Sequence, residues 1–591
     1  MSSTSVLEVV EGSSGDAVVG VFAKGPECRS PVERQLSQLW RKVLGVDGFS
    51  RDGNFLDLGG NSSLALELVA HIRVRFEINL PVLAVFDFPE FARMSLEIDR
   101  RLQERAIRAL DGTPSGPTLG SLRPVVPAFH NGAARVSPTQ RNIWQRHQSG
   151  ADPRQLNLMA VTPMGETIRA DILNLCLHDL LRRHEILRSR FAVQHDRLVQ
   201  VLDAAASADL TRVTCESVSQ VHIAVAHCQA FPFDLRCPPL IRATLLRRGS
   251  HDVLVLVAHA IVVDAVSLGT IQREVTEQYQ LVSSTRRMPF SRPLLQYADY
   301  SAWQQSWFRS ADYASQVRFW KERLEGAFDA FPFPTVASSK CAGVSNRATH
   351  RLVCGNPLVN ALERIGRTNS ATLFMVSLAA LKAVVYRQTG RGELVVSSNV
   401  SVRCRPELAN MVGPFTNRVL LRSSLHGSQT FSRLLQSVRT TWLNALDSAE
   451  LPFDEVVRTS GVALHHDVQI SVVYADCRER STDCDGMGPG SVVCLPVEDI
   501  MVQLIRTGSG LEVCIDCDAD LFEFERVSRL ARDLGGLLSY VGNNPTTAIR
   551  AFPLASGEAV IDSGIGPNSE VVRDRPARPY AGPPCGPSYA M

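Results

Sequence analysis

Apolar residues recur at helical spacing through the first hundred positions of the chain. In "SPVERQLSQLWRKVLG", residues 30–45, Val32, Leu36, Leu39 and Val43 fall on one face. Both ends of this segment carry helix signals: Ser30 can cap, Pro31 takes the first helical position, Glu33 can close a capping box and Gly45 stops the helix. The loop "VDGFSRDGNFLDLGGN" leads to a second amphipathic helix, Ser62 to about Phe76, with Leu64, Leu68 and Ile72 spaced by four. Pro89 opens a third, with Phe91, Met94, Ile98 and Leu102 inward. Together they predict an all-α bundle of about 75 residues, near the lower size limit for independent folding.

The pattern then changes. Residues 107–135, including "DGTPSGPTLGSLRPVVPAFHNGAAR", carry Gly, Pro and Ser without a period and read as a linker. From 136 to 555, apolar strands such as "VLVLVAH", "ELVVSSNVSV" and "VQISVVYAD" alternate with helical stretches such as "TLFMVSLAALKAVVYRQTG". This predicts an α/β region whose length suggests two lobes, 136–320 and 321–555. Residues 1–29 are expected to be a flexible segment, and 556–591, polar and rich in Pro and Gly, a disordered tail.

Two places interrupt the pattern with chemistry. The run "VLVLVAHAIVVDAVS", Val253 to Ser267, reads as a strand buried on both faces, yet contains His259 and Asp264. Buried polar groups cost free energy unless paired, so the two residues either satisfy each other and nearby backbone groups or belong to a site. In "NFLDLGGNSSLALELV", Gly59 and Gly60 precede Asn61, Ser62 and Ser63 at a helix start. A plain cap accounts for this arrangement, but a hydroxyl at a helix N-terminus would also suit a covalently attached phosphate, because unpaired N–H groups and the helix dipole favour an anion.

Composition narrows the function classes. The 591 residues are 45% hydrophobic and 21% charged, as in a folded multidomain protein, and the net charge of +2 gives no footprint for nucleic acid or an anionic membrane. Without a signal-like N-terminus or a long apolar run, a cytoplasmic protein is expected. The 14 cysteines are scattered; Cys514 and Cys517, three apart in a strand-like alternation, face opposite sides of a sheet and suit neither a metal nor a redox pair. No metal site is expected.

Over residues 30–106, "LSQLWRKVLGV", "DGNFLDLGGNSSLALELVAHIRVRF" and "NLPVLAVFDFPEFA" resemble the thiolation, or peptidyl carrier, domains of nonribosomal peptide synthetases. The resemblance implies a four-helix-type bundle bearing 4′-phosphopantetheine on Ser62, attached by a phosphopantetheinyl transferase. Asn61 stands where His or Asp is common, and Ser63 where Leu or Ile is common. Residues 136–555 resemble the condensation domains of the same synthetases through "VSPTQRNIWQRHQ", "LLRRHEILRSRF", "YADYSAWQ", "MVGPFTNRVLLR" and "LPFDEVV". That family implies two chloramphenicol-acetyltransferase-like lobes with a tunnel between them, reached by a carrier from each side.

The family's active-site motif is His-His-x-x-x-Asp-Gly. Here His259 matches the first His, Ala260 replaces the second, Asp264 matches the Asp and Ala265 replaces the Gly. In the family the second His faces the tunnel and acts on the attacking amine, which Ala cannot do, and His259 cannot readily step in because successive strand residues point oppositely. His259 and Asp264 match the positions that support the architecture. The reading is a carrier–condensation didomain of peptide antibiotic or other secondary-metabolite biosynthesis. Its large domain is either a platform for partner enzymes or a transferase using proximity or another group. The residues ahead of the carrier are too few for an adenylation domain, so loading in trans by a stand-alone adenylation enzyme is expected. A downstream acceptor carrier or a tailoring enzyme is the further expected partner.

Overall fold

The computed structural model describes residues 28–110, 124–128, 132–165, 168–207, 209–285, 291–326, 347–460, 470–477, 492–493, 499–554 and 571–573. Four helices form the N-terminal bundle: α1 (Pro31–Leu44), α2 (Ser62–Phe76), α3 (Val82–Asp87) and α4 (Phe91–Leu110). Ser30, Pro31 and Gly45 act at α1 as their chemistry dictates, while the Glu33 carboxylate accepts from the Arg29 N–H. Ser30 Oγ accepts from the Glu33 N–H at 3.1 Å, and Gly45 turns left-handed at φ 66°. Burial raises the Glu33 carboxyl, but the Arg29 backbone N–H and the Arg51 guanidinium outweigh it and hold it below the usual range, tying the helix start to the following loop. Trp40 centres the core, with Phe49, Phe55 and Phe91 rings 5.3, 5.7 and 5.4 Å away. The short α3 follows Pro81 and has only six residues, too few for a helical period to show in the sequence.

The stretch read as a linker is narrower than 107–135. The helix α4 continues to Leu110, and Ala133–Arg135 already forms a strand against Arg197–Leu202. Of the residues between, Val125 and Ala128 are tied down: the Val125 N–H donates to Glu407 and the Ala128 N–H to Asp299 at 2.7 Å.

Beyond lie the two lobes. The first is built on a five-stranded sheet in the order Val492–Val493, Asn157–Gly165, His251–His259, Ile241–Arg248, Leu210–Thr214. The second is built on a seven-stranded sheet in the order Thr416–Ser424, Glu393–Ser401, Ile470–Asp476, Ile500–Thr507, Gly510–Asp518, Arg347–Gly355, Val571–Arg573. Val492–Val493 belongs by sequence to the second lobe but pairs with Asn157–Gly165 in the first, so the expected boundary at residue 320 does not separate the sheets. Val571–Arg573 is the exception to the tail reading, because pairing with His350 to Ala348 uses only backbone groups, which a polar sequence also has. The rest of 556–591, and residues 1–27, lie outside the described residues.

The motif "LLRRHEILRSRF" is anchored in the first lobe by its basic residues. Arg183 and His184 are buried, and both bond Glu274 of the helix Ala265–Thr285, at 2.8 and 2.9 Å. Cys517 is buried and Cys514 half-buried on the strand Gly510–Asp518, three positions apart and so on opposite faces. Among the described residues no single helix is long and apolar enough to cross a membrane. The apolar helix Leu373–Thr389 is packed inside the second lobe.

Candidate functional site

The apolar run at 253–267 is only half a strand. His251–His259 sits third in the five-stranded sheet; Ala260, Ile261 and Val262 then turn, and the helix Ala265–Thr285 begins. The turn reads as strand in the sequence because Ile261, Val262 and Val263 are themselves buried. His259 is 1% exposed and lies against the rings of His147 and Phe233, 5.2 and 6.1 Å away. Its Nδ1 accepts from the Ile261 N–H at 3.2 Å, while Nε2 has no hydrogen-bond partner among the described residues. Burial, reinforced by His147, Arg146 and Arg242, lowers its pKa to about 3, so the imidazole is neutral. Ala260 is half-buried in the turn. Ala265 is exposed at the first helical position and has no positive φ, so the backbone does not demand glycine there.

His259 and Asp264 do not pair with each other. Asp264 accepts from Arg403 at 2.6 and 3.0 Å, from the Ser267 N–H at 2.7 Å and from the Phe415 N–H at 3.0 Å. Since Arg403 and Phe415 come from the second lobe, this carboxylate joins the lobes while capping its own helix. Arg403 also donates to Ser267 Oγ, which in turn donates to the Gly413 carbonyl at 2.7 Å. The motif residue Tyr297 adds a second pin through Ser137 at 2.9 Å and the Pro414 carbonyl at 3.2 Å. Its ring leaves no room for a side chain at Gly413, where a Cβ would lie 1.9 Å from a ring carbon.

Ser62 opens α2, with Asn61 as its cap. The loop reaches it through Gly59, at φ 92°, and Gly60, whose Cβ would lie 2.4 Å from Phe55. Of the two sequence readings of this helix start, the plain cap is formed: Asn61 Oδ1 accepts from both the Ser63 and Leu64 N–H groups at 3.0 Å. The partner of the Ser62 hydroxyl comes instead from the other domain: Trp442 Nε1 donates to Ser62 Oγ at 3.0 Å.

Trp442 lies on the helix Phe431–Asp447, one face of which meets the bundle. Arg439 bonds Asp87 at 2.5 Å. Asp447 accepts from Arg73 at 2.8 Å and from the Val82 N–H at 3.0 Å, capping α3, whose own N-cap residue is Pro81 and supplies no side chain. Burial raises the Asp447 carboxyl against the opposing pull of Arg73 and the Val82 N–H. Sequence reasoning missed these residues. The available signal was the spacing of Arg439, Trp442 and Asp447 in "VRTTWLNALD", three charged or amphipathic groups within two to three turns of an amphipathic helix.

A cavity of about 620 Å³ connects the two places. Ser62 and Trp442 line it at the bundle, Phe374, Ser398 and Tyr474 along its wall, and Val266 and Arg403 beside the motif. It thus brings Ser62 and Arg403, the partner of the buried Asp264, into one space, while His259 packs against His147 and Phe233 of the first lobe. The 4′-phosphopantetheine arm, which supplies a thiol for carrying an acyl group as a thioester, fits these residues: the hydroxyl is at a helix start, a polar donor stands beside it, and open space lies beneath.

Comparison with known proteins agrees with this geometry. Residues 130–559 match the Condensation domain family and residues 34–97 the Phosphopantetheine attachment site family. A linear gramicidin synthase protein from Brevibacillus parabrevis is 27% identical over 551 residues, 90% of this chain and 7% of that protein. The cyclosporin synthetase of Tolypocladium inflatum is 29% identical, over 90% of this chain and 3% of that protein. The chain thus spans less than a tenth of the length of these two relatives. Among solved structures, the X-domain of teicoplanin biosynthesis in complex with OxyB superposes with a TM-score of 0.64 at 21% identity, covering 73% of this chain and 98% of that one. The first condensation domain of the calcium-dependent antibiotic synthetase gives 0.60 at 18%, covering 72% and 99%. Joined to a phosphopantetheine-attachment domain and pinned lobe to lobe through Asp264 and Arg403, this chain belongs to the condensation-domain family of the nonribosomal peptide synthetases.

Proposed function

We propose that Ser62 carries 4′-phosphopantetheine bearing an aminoacyl or peptidyl thioester, and that the condensation-like domain receives this group as a platform for partner enzymes rather than as an efficient transferase. The observation that carries the reading is the cavity running from Ser62 to Arg403 beside a motif whose base position is Ala260. The cavity supplies a place for the tethered donor, the Asp264–Arg403 pair keeps the lobes in register, and the half-buried Ala260 offers no group to take a proton. A general base contributes about 10²–10⁴-fold, so its absence leaves mainly proximity of tethered reactants. That a domain of this fold has been solved in complex with a protein named OxyB supports a docking role. In this reading a separate adenylation enzyme charges the arm and a tailoring enzyme or acceptor carrier is the client.

The transferase reading is favoured by the intact interlobe pins and the open cavity, and by the likeness to a domain described as a condensation domain. One experiment separates the two. The chain is modified from coenzyme A by a phosphopantetheinyl transferase, one arm being expected by intact mass on the unaltered chain and none on Ser62→Ala. It is then loaded and mixed with an aminoacyl acceptor carrier. The platform reading expects little product from the unaltered chain and a weak gain from Ala260→His with Ala265→Gly. Turnover by the unaltered chain at about 1 per second or faster, within the range of ordinary enzymes, overturns it.

A further inference from the structure

Trp442 stands where a phosphate on Ser62 would need a partner. Its indole is 5% exposed, packed on Phe374 with ring centroids 4.6 Å apart, and its only polar atom donates to Ser62 Oγ at 3.0 Å. The usual anion donors of a helix start are already engaged, since Asn61 Oδ1 accepts from the Ser63 and Leu64 N–H groups. The rest of the cavity is unwelcoming to an anion. Asp57, Glu67, Glu363 and Asp476 line it against two cations, of which Arg403 is bonded to Asp264 and Arg367 lies 3.5 Å from Asp57. A phosphodiester formed on Ser62 therefore meets an indole N–H at contact distance and carboxylates beyond it.

Resting on the reading that Ser62 is the modified residue, we propose that Trp442 is the positioning residue for the tethered arm: on modification its Nε1–H passes from the serine oxygen to a phosphodiester oxygen, which fixes where the arm enters the cavity. A hydrogen bond to a charged acceptor is roughly twice as strong as one between neutral groups, so the contact tightens when the arm is present. The neutral indole achieves this without adding a cation that would pair with Asp57 or Glu363. The tilted packing against Phe374 holds the ring in place before any arm arrives.

The test compares unmodified and modified full-length chain by the indole ¹⁵N–¹H resonances of its six tryptophans, with the Trp442 signal assigned by its loss in Trp442→Phe. On modification with coenzyme A, the Trp442 resonance should move downfield further than the other five, and exchange of its N–H with solvent should slow by about ten-fold. The ³¹P resonance of the arm should differ between the unaltered chain and Trp442→Phe, which keeps an aromatic ring on Phe374. An arm attached at Ser62 by mass, with the Trp442 resonance and its exchange unchanged, overturns the proposal. Failure of Ser62 to accept any arm overturns the underlying reading instead. Should Trp442→Phe not fold, the shift and exchange measured on the unaltered chain, with the signal assigned by selective labelling, decide the matter.

Discussion

At the bundle end of the cavity, the Ser62 hydroxyl is met by Trp442, and Arg439 and Asp447 on the same helix bond Asp87, Arg73 and the α3 backbone. At the other end, Asp264 and Arg403 still join the lobes, but the residue that the family uses on the reacting amine is Ala260. One end brings the Ser62 hydroxyl to a donor from the other domain; the other joins the two lobes beside an alanine. The difference teaches that the contacts framing each end can be read apart from the chemistry proposed for it. Asp264 accepts four hydrogen bonds, and its loss would leave the buried Arg403 guanidinium without its carboxylate, whereas Ala260, half-buried in the turn and packed against the core, offers only a methyl group.

The sharpest way to break the frame is Asp264→Ala. Stranding Arg403, whose side chain is 8% exposed, should cost about 3–5 kcal/mol in unfolding free energy and lower the thermal midpoint, as read by calorimetry. A loss below about 1 kcal/mol would mean that the pair does not hold the lobes.

A smaller effect is expected at the other end. Asp447→Ala removes the α3 cap and the Arg73 partner and should weaken docking of the bundle by about 2 kcal/mol. Faster hydrogen exchange across Val82–Asp87 and Phe431–Asp447, with the lobes' sheets unaffected, is the expected outcome. Unchanged exchange there would show that docking rests on the apolar contacts alone.

The smallest effect concerns His259. Its pKa is lowered from 6.5 to about 3 on folding, so the unfolded chain binds the extra proton first. The stability contributed is complete above pH 6.5 and lost as pH falls towards 3, amounting to roughly 1 kcal/mol between pH 7.5 and 6. His259→Gln should flatten that part of the stability profile while leaving the pH 8 value nearly unchanged. An unaltered slope would place the titration on another histidine.

Much of this molecule is legible residue by residue. Caps at Ser30 and Gly45 mark α1, the Asn61–Ser62 start marks α2, and the apolar strand through Ala258 marks the centre of a sheet, because local backbone chemistry and hydrophobic period act within a few residues. The motif residues His259, Ala260, Asp264 and Ala265 were found in the same way, from spacing and resemblance. What the sequence could not reveal were partners far apart along the chain: Asp264 with Arg403, 139 residues on, and Ser62 with Trp442, 380 residues on.

The sequence alone therefore determined the longer helices of the bundle, the resemblance to the two families and the identity of the side chains at each site. Tertiary structure decided that the apolar run breaks after His259 and that Val492–Val493 crosses to the other lobe's sheet. It also decided that the bundle lies with Ser62 over the cavity. The physical reason is reach: periodicity and capping are set by neighbours three or four residues away, whereas hydrogen bonds between domains depend on which surfaces packing brings together.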